Sequence, residues 1–135
     1  MIDRYLFRGK CEDNGEWRYG DLIRHDTRIH PMGKTIIGGN DSNYIIDPST
    51  IGQCTGLRDK NGALIFEGDI VRMYPKYYGG NEAVKGYGRV EFSYEYAGGW
   101  IVAAGENKCN LGNRAETFEV VSNVHDNPEL LRGEQ

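Results

Sequence analysis

The densest run of chemically capable side chains lies between Arg72 and Arg89. Tyr74, Tyr77, Tyr78 and Tyr87 are interleaved there with Arg72, Lys76, Lys85 and Arg89. Four bases against one acid, Glu82, give this stretch a charge of +3 in a chain of net −4. Rings beside cations suit stacking on unpaired bases with phosphate contact, as on small barrels that hold single strands. The same residue types anchor protein interfaces, where Tyr and Arg are favoured. A third reading is structural: tyrosines of a long Gly-rich loop that cover a sheet edge. The negative net charge weighs against nucleic acid.

Other groups point to less. His25, Asp26 and His30 are the only local metal-type cluster, and five-residue spacing puts the two histidines on opposite sides of a strand. Cys11, Cys54 and Cys109 are odd in number, far apart and without a neighbouring His, which predicts reduced, buried thiols rather than nucleophiles or a disulfide framework. Gly79-Gly80 and Gly86-Tyr87-Gly88 lack the phosphate-loop pattern and no helical segment follows them. Gly20-Asp21 and Gly68-Asp69 read as turns in which the carboxylate accepts backbone N–H groups, not as an acid/base pair. No nucleophile, base and orienting group form a set, so neither enzyme activity nor a metal or cofactor is expected.

The elements that must carry these residues are strands. The chain has 135 residues, enough for a buried core, and 19 are Gly, about twice the usual share. The glycines punctuate short apolar alternations, and nine Tyr favour strand over helix. No apolar run reaches signal or membrane-spanning length, which predicts a protein of the cytoplasm without membrane contact.

The organising stretch is Thr55 to Val71. Asp59-Lys60-Asn61-Gly62 is a tight hairpin turn, Ala63 to Phe66 a short apolar strand, Glu67-Gly68 a second turn, and Ile70-Val71 the start of another strand. An earlier segment parallels it. Asn14-Gly15-Glu16-Trp17-Arg18-Tyr19-Gly20-Asp21-Leu22-Ile23-Arg24 matches Asn61 to Arg72, and one extra residue before the second Gly-Asp suggests a β-bulge. Residues 4–10 suit a first strand, with Thr35-Ile36-Ile37 and Tyr44-Ile45-Ile46 as short strands further on. Val90, Phe92, Tyr94 and Tyr96 alternate with Arg89, Glu91, Ser93 and Glu95. Trp100 to Ala104 and Phe118 to Val124 are further strands, and Gly105 to Ala115 reads as loop. Asn127-Pro128-Glu129 starts a short helical turn that must pack on the sheet.

Several motifs together resemble YopX-like proteins, which bacteriophages and prophages encode. They are Tyr5-Leu6-Phe7-Arg8-Gly9-Lys10, Gly15-Glu16-Trp17-Arg18-Tyr19-Gly20-Asp21-Leu22, Ile51 to Gly62, Ile65 to Val71, and Val121 to Leu131. The resemblance implies a phage accessory protein of mostly β structure, and it brings no catalytic residues with it. The expectation is an all-β chain with an N-terminal β-hairpin subdomain over 1–54. An SH3-like small barrel with a short C-terminal helical turn should follow over 55–135. The expected function is non-enzymatic, through contacts with a phage or host protein. Edge strands such as Thr35-Ile36-Ile37 offer pairing into a homo-oligomer. The alternative is single-stranded nucleic-acid binding by the loop 72–89.

Overall fold

The computed structural model describes residues 3–23, 36–39, 42–73, 86–95, 99–112 and 114–132. The chain divides into two compact units, Met1–Cys54 and Thr55–Gln135. Strands dominate both, every described pairing is antiparallel, and the one α-helix among the described residues has four residues.

In the first unit a 3-10 turn (Asp3–Tyr5) precedes β1 (Phe7–Lys10). The turn at Asp13-Asn14-Gly15 then leads into β2 (Trp17–Ile23). Gly15 takes φ 71°, the left-handed conformation this tight connection needs. β3 (Ile36–Gly39) and β4 (Ser42–Ile45) follow, giving the order β4-β3-β2-β1, and the start of β5 (Gly52–Arg58) lies beside β1. The chain then curls back on itself: just past β4, Ile46 forms a bridge with Cys11 just past β1. Cys11, Ile37 and Ile46 fill the interior of this curl. Gly9 makes it possible, because a Cβ there would stand 2.4 Å from Ile46 Cγ2. β3 has β2 on one side and β4 on the other, so the edge strand expected at Thr35-Ile36-Ile37 is an interior one. Thr35 itself lies outside the described residues.

In the second unit the Asp59–Gly62 turn joins the end of β5 to β6 (Leu64–Phe66), with Gly62 at φ 86°. The extra residue of the second copy makes no bulge. Glu67-Gly68 is a full turn, Gly68 at φ 89°, after which β7 (Asp69–Met73) runs in the five-stranded sheet β10-β9-β8-β7-β11. Its other members are β8 (Gly86–Ser93), β9 (Gly99–Ala104), β10 (Asn107–Asn110) and β11 (Glu119–Asn123). The sheet's bulge lies instead in β11, between Val120 and Ser122.

The all-β class is as expected. The described pairings do not close the second sheet into an SH3-like barrel, because β10 and β11 are its outer strands. The Gly105 turn folds β10 back onto β9, and a 3-10 turn (Ala115–Thr117) carries the chain to the far side of β7. β10 falls in a segment expected to be loop; Asn-Lys-Cys-Asn has little strand propensity, and pairing with β9 imposes the extended form.

One face of this sheet holds Val71, Met73, Val90 and Val102. They pack with Ile65, Leu111, Ala115 and Phe118 into the unit's core. Ile70 and Ile101 lie on the opposite face and are also buried. The helix α1 (Glu129–Arg132) packs against β8. Asn127 Nδ2 donates to Glu129 Oε2 at 3.0 Å, which holds that carboxyl below its usual range. Phe92, on the same face of β8 as the buried Val90, is 39% exposed, and Tyr94 beyond it is 86% exposed. Phe92 makes edge contacts with Tyr94 and Trp100 at the rim of the sheet.

Candidate functional site

Of the eight residues expected to form a binding loop, Tyr74, Lys76, Tyr77, Tyr78 and Lys85 lie outside the described residues. Arg72 is the penultimate residue of β7, while Tyr87 and Arg89 lie on β8. Arg72 and Tyr87 are cross-strand partners, and Arg72 Nη2 donates to Tyr87 Oη at 3.0 Å with the guanidinium 5.5 Å from the ring centroid. Arg89 shares their face and pairs with Glu91, Nη2 to Oε2 at 3.1 Å. Glu119 of β11 is the register partner of Arg72 on the other side. Two cations thus share a sheet face with two carboxylates. Such a face offers phosphate little net attraction. The sequence could not show this, because Glu119 reaches Arg72 only through strand order.

A second constellation lies in the first unit. The Asp13–Gly15 turn sets the β1–β2 register so that Lys10 faces Trp17 and Arg8 faces Tyr19. The Arg8 guanidinium stands 4.7 Å from the Trp17 ring centroid, and Lys10 Nζ is 5.4 Å from it. On the other face of β2, the Arg18 guanidinium lies 4.3 Å from the Tyr44 ring centroid, with Nη2 3.7 Å from Glu16 Oε1. A hydrogen bond to Cys11 and the Tyr44 and Glu16 charges raise the Arg18 pKa above its ordinary value, against a smaller opposing effect of burial. None of these residues was expected to form a site. The hairpin turn was the one signal that could have placed Lys10 opposite Trp17.

Beside Tyr44 a cleft of about 270 Å³ is lined by Cys11, Glu12, Asp13, Asn43, Tyr44 and Ile45. Cys11 and Cys54 are buried and Cys109 is half-buried. His25 and His30 lie outside the described residues, and His125 is exposed in the turn before α1. Among the described residues no group of three or more His, Cys, Asp or Glu side chains could hold a metal ion.

The family model for YopX protein matches residues 6–132. The chain belongs to the YopX family. No curated protein matches it. The matched span runs from the residue before β1 to the last residue of α1, so it takes in both units.

The Arg8–Trp17 pair gives a direct prediction for the YopX hairpin. Arg8 is only 6% exposed, and the indole face is part of what compensates its charge there. Trp17→Leu is expected to cost about 2 kcal/mol in urea unfolding, and Trp17→Phe, which keeps a ring face, about half of that. Equal losses for the two variants would show that ring stacking is not what holds Arg8.

Proposed function

We propose that this member of the YopX family is a phage or prophage accessory protein that works without catalysis, by holding another protein in the bacterial cytoplasm. The observation that carries this reading is one face of the β2–β4 sheet. Tyr19 is 55% exposed, Ile23 38% and Ile45 46%. Tyr19 and Ile23 are four residues apart on β2 and share its face, and Ile23 and Ile45 occupy one cross-strand row through the Ile36 position. Large aliphatic groups beside a tyrosine fit a protein surface; bases stack on rings and gain little from isoleucine. The acid-matched cations on β7 and β8 support the same choice over a single-stranded nucleic acid. No helix among the described residues is long and apolar enough to cross a membrane.

A photocrosslinking residue placed at Tyr19 or Ile45 in bacteria making the protein tests the reading. The expected result is the same protein adduct from both positions, lost when Ile23→Glu is added. The reading fails if neither position yields a protein adduct and the purified chain instead binds single-stranded oligonucleotides in a salt-sensitive way.

A further inference from the structure

We infer that the cleft beside β4 takes one extended strand of a partner protein, carrying Lys or Arg side chains, added to the outer edge of β4. This rests on the protein-contact reading above and names where and what it holds.

The backbone comes first. The Glu12 amide donates to Ile45 O at 2.9 Å and the Asp47 amide to Lys10 O at 2.9 Å, around the Cys11–Ile46 bridge. Ile45 O therefore points away from β3. Residues two apart in a strand aim their N–H and C=O groups the same way, so those of Asn43 point outward too, while Ser42 and Tyr44 face β3. The pairing with the β1 extension ends after one bridge because the chain turns there. Gly15 N donates to Cys11 O at 3.0 Å, and Asn14 Oδ1 accepts from Glu16 N. The edge thus opens at Asn43, where the cleft lies.

Other outer strands carry protection against such pairing. Phe66 N at β6 is capped by the Asp69 carboxylate, β10 carries Lys108, and Asp59 covers the Val120 amide of β11. β4 reads Ser-Asn-Tyr-Ile, with neither charge nor proline. An unguarded edge beside a cleft is the arrangement strand addition uses.

Charge sets the occupant. The cleft lining has two carboxylates, Glu12 and Asp13, and no cation. The nearby Arg18 is already engaged by Glu16 and the Tyr44 ring. An incoming ammonium or guanidinium meets the Asp13 carboxylate while its methylene stem lies along Ile45. A phosphate would be repelled.

The test uses 15N-labelled full-length protein at low salt, titrated with acetyl-Thr-Lys-Val-Lys-Thr amide and with its Glu-for-Lys counterpart. The lysine peptide is expected to shift the amides of Glu12, Asp13, Asn43 and Ile45, and the glutamate peptide to leave them in place. Asp13→Lys should weaken binding about tenfold. Asn43→Pro, which removes the outward N–H of an edge strand where proline is tolerated, should abolish it. Equal shifts with both peptides, shifts centred elsewhere, or unchanged binding by Asp13→Lys would overturn the inference. So would Asn43 shifts that grow with protein concentration alone, since they would seat a second copy in the cleft. Crosslinked adducts from positions 19 and 45 that persist in Asp13→Lys, without peptide binding by the unsubstituted protein, would remove the cleft but keep the protein-contact reading. Peptide binding at Asn43 without any adduct would do the reverse.

Discussion

Alanine at Gly20 is expected to be among the most damaging single-methyl additions in this protein. A Cβ at Gly20 would stand 2.4 Å from the Gly38 carbonyl oxygen and 3.1 Å from its carbon. The obstruction is backbone, so no rotamer change relieves it. β2 and β3 must move apart where Asp21 pairs with Gly38 and Leu22 with Ile37, and Ile37 is fully buried. The expected loss is about 3 kcal/mol, at the upper end of what overpacking costs. That is a large share of a stability on the order of 5–15 kcal/mol. Gly15→Ala is the control. Gly15 sits in the Asn-Gly turn at φ 71° with nothing within 4 Å of its would-be Cβ, so the cost is the local strain of about 1–2 kcal/mol. Urea unfolding of the two variants side by side decides the matter. A Gly15→Ala loss equal to or larger than that of Gly20→Ala would mean that β2 and β3 do not approach as closely as described.

That contrast marks what the residues could and could not tell. Turn chemistry is local: Asp13-Asn14-Gly15 and Asp59-Lys60-Asn61-Gly62 form turns where their residue types demand them, with Gly15 and Gly62 at positive φ. The parallel between the two Gly-Asp segments is present in the letters but not in the structure. Gly20 lies inside a continuous seven-residue strand, while Gly68, preceded by the extra Glu67, breaks the chain into β6 and β7. The carboxylates diverge in the same way. Asp69 is buried and its Oδ2 accepts from Phe66 N at 2.7 Å, as expected of a turn aspartate; Asp21 is exposed on β2. What makes Gly20 indispensable is the approach of β3, which no local pattern announces. The acids that face Arg72 and Arg89 and the cleft beside β4 depend likewise on strand order. Lys10 opposite Trp17 was within reach of sequence reasoning, since one hairpin turn fixes it.

The second large effect belongs to Asp59, a residue the turn motif contains but does not explain. Its side chain is buried, 5% exposed, and works in two directions. Oδ1 accepts from Asn61 N at 2.8 Å and Ala63 N at 2.9 Å, closing the turn on itself. Oδ2 accepts from Val120 N at 2.8 Å, fastening the turn to β11, while Lys60 N donates to Phe118 O at 2.9 Å beside it. Hydrogen bonds to an ionised acceptor are the strong ones, and a half-buried amide stripped of its acceptor is costly. Asp59→Ala is therefore expected to lose roughly 3–4 kcal/mol, well beyond the few tenths expected for Asp21→Ala. Asp59→Asn separates the two functions. Its remaining oxygen can still accept from Asn61 and Ala63, but its NH2 group then faces the Val120 N–H, donor against donor. Its loss should be at least half that of the alanine variant, and amide exchange should accelerate at Val120 while Ala63 stays protected. If Asp59→Asn unfolds at the wild-type urea concentration, the Val120 contact contributes nothing and the turn alone accounts for the residue. If Asp59→Ala itself costs under about 1 kcal/mol, the tie between the Asp59 turn and β11 is not what keeps Phe118 in the core.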